Sequence, residues 1–121
     1  LLGWYNFKHG LRGFLHYAWN NYNVCRQRFN PFADASCFNS FPCDAFIVYP
    51  DRNNLTVLES VRSTAMRDSF EDYELLLLAS KKHPDTVKRL VQTVINTADD
   101  FVRNTDFLME LRVRLLEIAS S

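Results

Sequence analysis

The chain has 121 residues, 47% of them hydrophobic and 14% aromatic, enough for one modest domain with a buried core. Fourteen basic and fourteen acidic side chains cancel to a formal charge of zero, which leaves no electrostatic footprint for phosphate backbones or anionic lipid and argues against nucleic acid as a partner. No apolar run approaches the roughly 20 residues of a membrane-spanning helix, so no bilayer crossing is expected.

Residues 1–9 mix apolar and polar side chains at helical spacing and close at Gly10, a good C-terminal stop, which predicts that the chain opens on the end of a helix. Its first residue is Leu1, without the flanks of a secretory signal, so processing or excision from a longer chain is expected. Residues 11–19 are almost continuously aromatic and apolar. That pattern predicts a short strand buried on both faces, with Trp19 and Asn20 at its C-terminal end. Residues 20–42 are rich in Asn, Asp and Ser, contain Pro31 and Pro42 and show no period, which predicts a long irregular loop. Cys25, Cys37 and Cys43 cluster there, compatible with one disulfide and a remaining thiol but not implying one.

Residues 44–49 predict a second buried strand, ended by Pro50 and the turn-forming Asp51, Arg52, Asn53 and Asn54. Thr56 followed by Glu59 fits a capping box, so a long helix is expected from there, or from within a turn of Ser60, to about residue 80. Pro84 marks the next helix, with an apolar stripe of Val87, Leu90, Val91, Val94, Ile95 and Ala98. A further helix uses Leu108, Leu111, Leu115 and Ile118, capped by Asn104 or Thr105, with Asp106 in its first turn. Two short strands buried on both faces cannot satisfy their own backbone groups. Residues outside this chain are therefore expected to pair with them, unless the segment rearranges or self-associates.

Several motifs then point to one family. Leu2-Gly3-Trp4 at a helix end is followed by Gly13-Phe14-Leu15 and an aromatic strand closing on Trp19-Asn20. Asn30-Pro31-Phe32 lies in the loop, and an apolar strand closes on Tyr49-Pro50. The most specific block is Ser60, Arg62, Arg67, Asp68, Glu71, Asp72, Tyr73 and Glu74. In these residues the chain resembles the C-terminal part of the glycoside hydrolase family 123 catalytic domain, also called domain of unknown function 4091, over about residues 2–78. Cys43, Ala45, Asp51 and Ser69 stand where that family carries glycine.

The resemblance implies an α/β fold. Residues 1–80 would form the terminal strands and closing helix of a (β/α)8 barrel, and residues 81–121 a helical pair packed on it. It also implies hydrolysis of β-linked N-acetylgalactosamine with retention, the substrate's own acetamido oxygen acting as nucleophile. The Asp-Glu pair that orients this group and supplies the acid belongs to an earlier strand, so no catalytic residue is assigned here and the isolated chain is expected to be inactive. The implied partners are an N-acetylhexosamine-containing glycan and the upstream remainder of the barrel, without a cofactor. Secretion or a periplasmic location in a bacterium is implied on the same ground.

Trp19 and Tyr49 would stand at C-terminal strand ends, where such barrels carry their sites, and aromatic faces suit the apolar face of a sugar. Both are also open to simple rim packing, which for Tyr49 is the weightier reading. Asn20 either bonds a sugar hydroxyl or serves as a turn residue. Arg62, Arg67, Asp68, Glu71 and Asp72 are read as a structural network that fastens the helix to strand ends and loops, with Arg67 and Glu71 four apart on one face. His9, His16 and His83, with the cysteines, lack metal-ligand spacing, so no metal is expected, and His16 is read as a hydrogen-bonded core histidine. The competing functions are a hydrolase portion, a non-catalytic module that binds glycan or protein, and a purely structural domain.

Overall fold

The computed structural model describes residues 1–22, 30–33 and 45–121. In chain order the elements are α1 (Leu2–Lys8), β1 (Tyr49–Asp51), β2 (Thr56–Leu58), α2 (Val61–Lys82), α3 (Pro84–Val94) and α4 (Thr105–Ser120). Two compact units form, one from Leu1–Gly13 with Arg67–Ser121 and the other from Phe14–Met66.

The first unit is helical. Its core joins Trp4, Leu76 and Ala79 to the stripe Val87, Leu90, Val91, Val94 and Ile95, and to Leu111 and Leu115 of α4. The expected periodicity of the last two helices holds, except that Ala98 is exposed. Pro84 starts α3, where its missing N–H costs nothing. Asn104 caps α4, its side chain accepting from the Asp106 and Phe107 amides at 3.0 and 3.2 Å. Gly10, at φ 65, follows α1 in the left-handed region that ends helices.

Gly3 is required for a different reason. A Cβ there would lie 1.8 Å from the Ser69 carbonyl oxygen, so α1 lies against the backbone of α2 where only hydrogen fits. The contact is sealed by the Gly3 amide, which donates to the buried Ser69 Oγ at 2.9 Å. At the other end of α1, the Lys8 ammonium donates to the Ile95 and Asn96 carbonyls, both at 2.6 Å. A cation there meets the negative end of α3 through two carbonyls just past it.

The second unit corrects two expectations and decides a third. Residues 11–19 form no strand among the described residues, and their apolar side chains stand largely in solvent, Leu15 at 92% exposure. A strand buried on both faces exists only with neighbours on both edges, and apolar content alone cannot supply them. Of residues 44–49, Asp44 lies outside the described residues. Ala45, Phe46, Ile47 and Val48 are buried but irregular, and the regular strand is Tyr49–Asp51. Thr56–Leu58 is a strand paired antiparallel to it, with Tyr49 opposite Leu58 and Asp51 opposite Thr56, so the long helix does not begin at Thr56.

The helix begins on Ser60, the later of the two expected starts, and runs to Lys82. The Ser60 hydroxyl accepts from the Arg62 and Ser63 amides at 3.1 and 3.2 Å, while Ser63 Oγ accepts the Ser60 amide at 2.9 Å, a reciprocal cap built from two serines. The turn between the strands is organised by Asp51, whose carboxylate accepts from the Asn53 and Asn54 amides and the Asn54 side chain. Those bonds offset the left-handed Leu55, at φ 53, which costs about 1 kcal/mol for a residue with a Cβ.

Candidate functional site

Segment 45–48 is the base on which the expected sugar contacts rest. Buried backbone must find partners, and here they come from single chain segments and side chains. The Trp19 carbonyl accepts from the Ile47 and Val48 amides at 2.8 and 3.4 Å, and the Asn21 amide donates to the Ala45 carbonyl at 3.0 Å. Asn20 and Phe46 form an isolated antiparallel bridge. Three side chains add to these: Tyr22 donates its hydroxyl to the Val48 carbonyl at 2.7 Å, Arg62 donates to the Phe46 carbonyl at 3.3 Å, and the Ser60 hydroxyl donates to the Ile47 carbonyl.

Trp19 and Asn20 therefore lie on this pairing, while Tyr49 follows the 45–48 segment in sequence and pairs with Leu58 of β2. Trp19 is 49% exposed, Asn20 is exposed and Tyr49 is half-buried. Tyr49 belongs to an aromatic cluster. Its ring stacks on Phe32 at a centroid distance of 5.1 Å and meets the edge of Phe46 at 5.5 Å, while Phe46 touches Tyr22 at 5.8 Å. The Arg62 guanidinium carbon lies 5.6 Å from the centroids of both Phe46 and Tyr49, a range in which ring quadrupoles attract a cation. A proton on Tyr22 is held more firmly than on free tyrosine, because burial disfavours the phenolate.

Of the five residues read as one network, four stay close together and Arg62 stands elsewhere. Arg62 belongs to this aromatic cluster. Asp68, Glu71 and Asp72 gather in the helical unit around Arg112 of α4, which pairs with all three carboxylates, 3.0 Å from Asp72 and 3.9 Å from Asp68. Arg67 is exposed and lies 3.8 Å from Asp68. Asp72 also accepts the indole N–H of buried Trp4 at 2.8 Å. A guanidinium and an indole N–H thus engage carboxylates that would otherwise repel one another at the margin of the core.

Sequence reasoning missed Arg112, Tyr22 and Phe32. Arg112 follows core residue Leu111 and so sits beside the buried face of its helix, but nothing local marks a partner 41 positions away. His16 stacks on Phe14 at 6.4 Å, and its buried Nε2 has no hydrogen-bond partner among the described residues, contrary to the expected bonded core histidine. No cluster of three or more potential metal ligands occurs among the described residues. Cys25, Cys37 and Cys43 lie outside those residues. No described helix is long and apolar enough to cross a membrane.

The family model described as Glycoside hydrolase 123, catalytic domain, matches residues 1–79. Comparison with curated proteins gave no match. The matched stretch contains the Gly3–Ser69 helix contact, the Trp19 pairing, the Tyr49 cluster and the acidic face of α2, and covers well over half of the chain. On that match the chain belongs to the glycoside hydrolase 123 catalytic-domain family.

Proposed function

We propose that this chain is the C-terminal portion of a carbohydrate-active hydrolase of the β-N-acetylgalactosaminidase type, retaining and substrate-assisted. It would supply the last strands and closing helix of a (β/α)8 barrel together with part of the sugar-binding rim. The observation that carries the reading is the placement of Trp19, whose half-exposed side chain is anchored by a carbonyl that accepts two amides of the buried 47–48 backbone. An aromatic face on fixed backbone loses little entropy when it meets the C–H face of a sugar. Asn20, next to it, carries an amide able to both donate to and accept from hydroxyl or acetamido groups.

The acid and the carboxylate that orients the acetamido group are assigned to an earlier strand, and none of the chemistry to this chain. Asp68, Glu71 and Asp72 are engaged by Arg112 and are assigned to fastening α4 on α2. A formal charge of zero suits a neutral sugar better than an anionic polymer.

The test is kinetic, on the parent protein that carries this chain behind its upstream barrel residues. Trp19→Ala is expected to raise KM for para-nitrophenyl N-acetyl-β-galactosaminide about tenfold, with a smaller change in kcat. The 121-residue chain by itself is expected to show no turnover. Turnover by the isolated chain, or an unchanged KM in the variant, would overturn the proposal.

A further inference from the structure

We infer that Arg62 is a positioning residue that sets the Tyr49 ring, and through it one edge of the sugar-binding rim; this rests on the rim reading above. The sequence groups Arg62 with the acidic residues of α2, but the structure gives it a different task. Its guanidinium carbon is equidistant, at 5.6 Å, from the centroids of Phe46 and Tyr49. From the same group Nη2 donates to the Phe46 carbonyl at 3.3 Å. One planar cation thus holds two rings and the backbone that carries the first of them.

A guanidinium combines these tasks because it attracts rings through its face and donates hydrogen bonds in its plane. The base of Arg62 is equally fixed. It stands in the first turn of α2, its amide bonded to the Ser60 hydroxyl at 3.1 Å, and Ser60 in turn donates to the Ile47 carbonyl. Phe32 stacks on the Tyr49 ring as well, at 5.1 Å. The ring therefore has few orientations open to it while Arg62 is present.

Arg62 is not proposed to touch substrate, so the experiment must separate positioning from bulk stability. In the parent protein, Arg62→Met is expected to raise KM for para-nitrophenyl N-acetyl-β-galactosaminide about three- to tenfold with kcat within about twofold. Arg62→Lys, which keeps charge but loses planarity, is expected to fall between wild type and Arg62→Met. Because Arg62 acts through Tyr49, Arg62→Met is expected to add less than about twofold to the KM of Tyr49→Leu. Fully additive KM effects, or a lowered unfolding temperature with unchanged KM, would overturn the inference. If Arg62→Met does not fold, Arg62→Lys decides alone: a raised KM supports positioning and a wild-type KM overturns it. Neutral Trp19→Ala and Tyr49→Leu variants would remove the rim reading and this inference together. Harmful effects of those two beside a neutral Arg62→Met would remove this inference only.

Discussion

In the helical unit the core residues, Ile95 apart, lie within helices whose backbone bonds run along the element, and side chains and one glycine join α1 and α4 to α2. In the Phe14–Met66 unit the buried backbone of residues 45–48 is bonded outward, to Trp19 and Asn21 and to the side chains of Tyr22, Ser60 and Arg62. The first arrangement rests on backbone bonds repeated along each helix. The second depends on a few specific side-chain donors, and a buried carbonyl left without its donor costs at least as much as an average hydrogen bond contributes. The expected rim residues sit on the second kind of support.

The sharpest way to break the helical unit is Gly3→Ala. The new Cβ meets backbone, not a flexible side chain, so α1 must move off α2 and take Trp4 out of the core. A loss of about 3 kcal/mol is expected in urea unfolding. Amide exchange at Ile47 and Val48 is expected to stay protected, because their acceptor, the Trp19 carbonyl, lies in the other unit. Simultaneous loss of that protection would show that the two units unfold as one.

Arg112→Met tests the joint between α4 and α2. The Arg112 side chain is 19% exposed, and its guanidinium pairs with three carboxylates. Its removal leaves Asp68, Glu71 and Asp72 to repel one another, with an expected cost of about 2 kcal/mol. Added salt is expected to recover part of the loss in the variant while changing the wild type little. Salt-independent destabilisation would instead assign the effect to lost packing of the arginine stem.

What could be read from the residues follows the same division. The stripe from Val87 to Ile95, the proline start of α3 and the Asn104 cap are local signals, and the structure carries them nearly unchanged. Residues 11–19 and 44–48 are strand-like by composition, but a strand is a relation to distant backbone that no local pattern states. The Thr56 and Glu59 pair had the letters of a capping box, yet the serine pair at 60 and 63 forms the cap, and Thr56 pairs with Asp51. Trp19 and Tyr49 were legible as aromatics at the ends of apolar runs. The Phe32 and Arg62 contacts of Tyr49, and the bonds of the Trp19 carbonyl to Ile47 and Val48, come from positions with no sequence signal linking them.

Ser60→Ala sharpens the account of the second unit, because one hydroxyl both caps α2 and covers the Ile47 carbonyl. Loss of a serine cap costs about 1 kcal/mol, and the uncovered carbonyl adds about another. The expected signature is faster exchange at Ile47 and Val48 together with fraying of the first turn of α2. Ser60→Asp is expected to restore the cap but not the donation to Ile47, so that only the helix start recovers. Full recovery in Ser60→Asp would mean that the Ile47 carbonyl contributes nothing.

The smallest effect belongs to the hairpin turn, which is exposed and held by one charge. The Asp51 carboxyl lies below its ordinary range, chiefly because of the Asn54 side-chain bond, with the Asn54 and Asn53 amides adding to it. A carboxyl with a depressed folded value stabilises the turn fully above the unfolded value, near pH 3.9, and loses that contribution as pH falls through the lower folded value. The Asn53 and Asn54 amide signals are thus expected to shift with a midpoint below that of free aspartate, while the Trp19-bonded amides of Ile47 and Val48 stay unchanged. Asp51→Asn keeps an acceptor oxygen for the turn but has no proton to gain, so its Asn53 and Asn54 signals should be flat across the same range. A midpoint at or above that of free aspartate would mean that the carboxylate does not organise the turn, and that the left-handed Leu55 is held by the strand pairing alone.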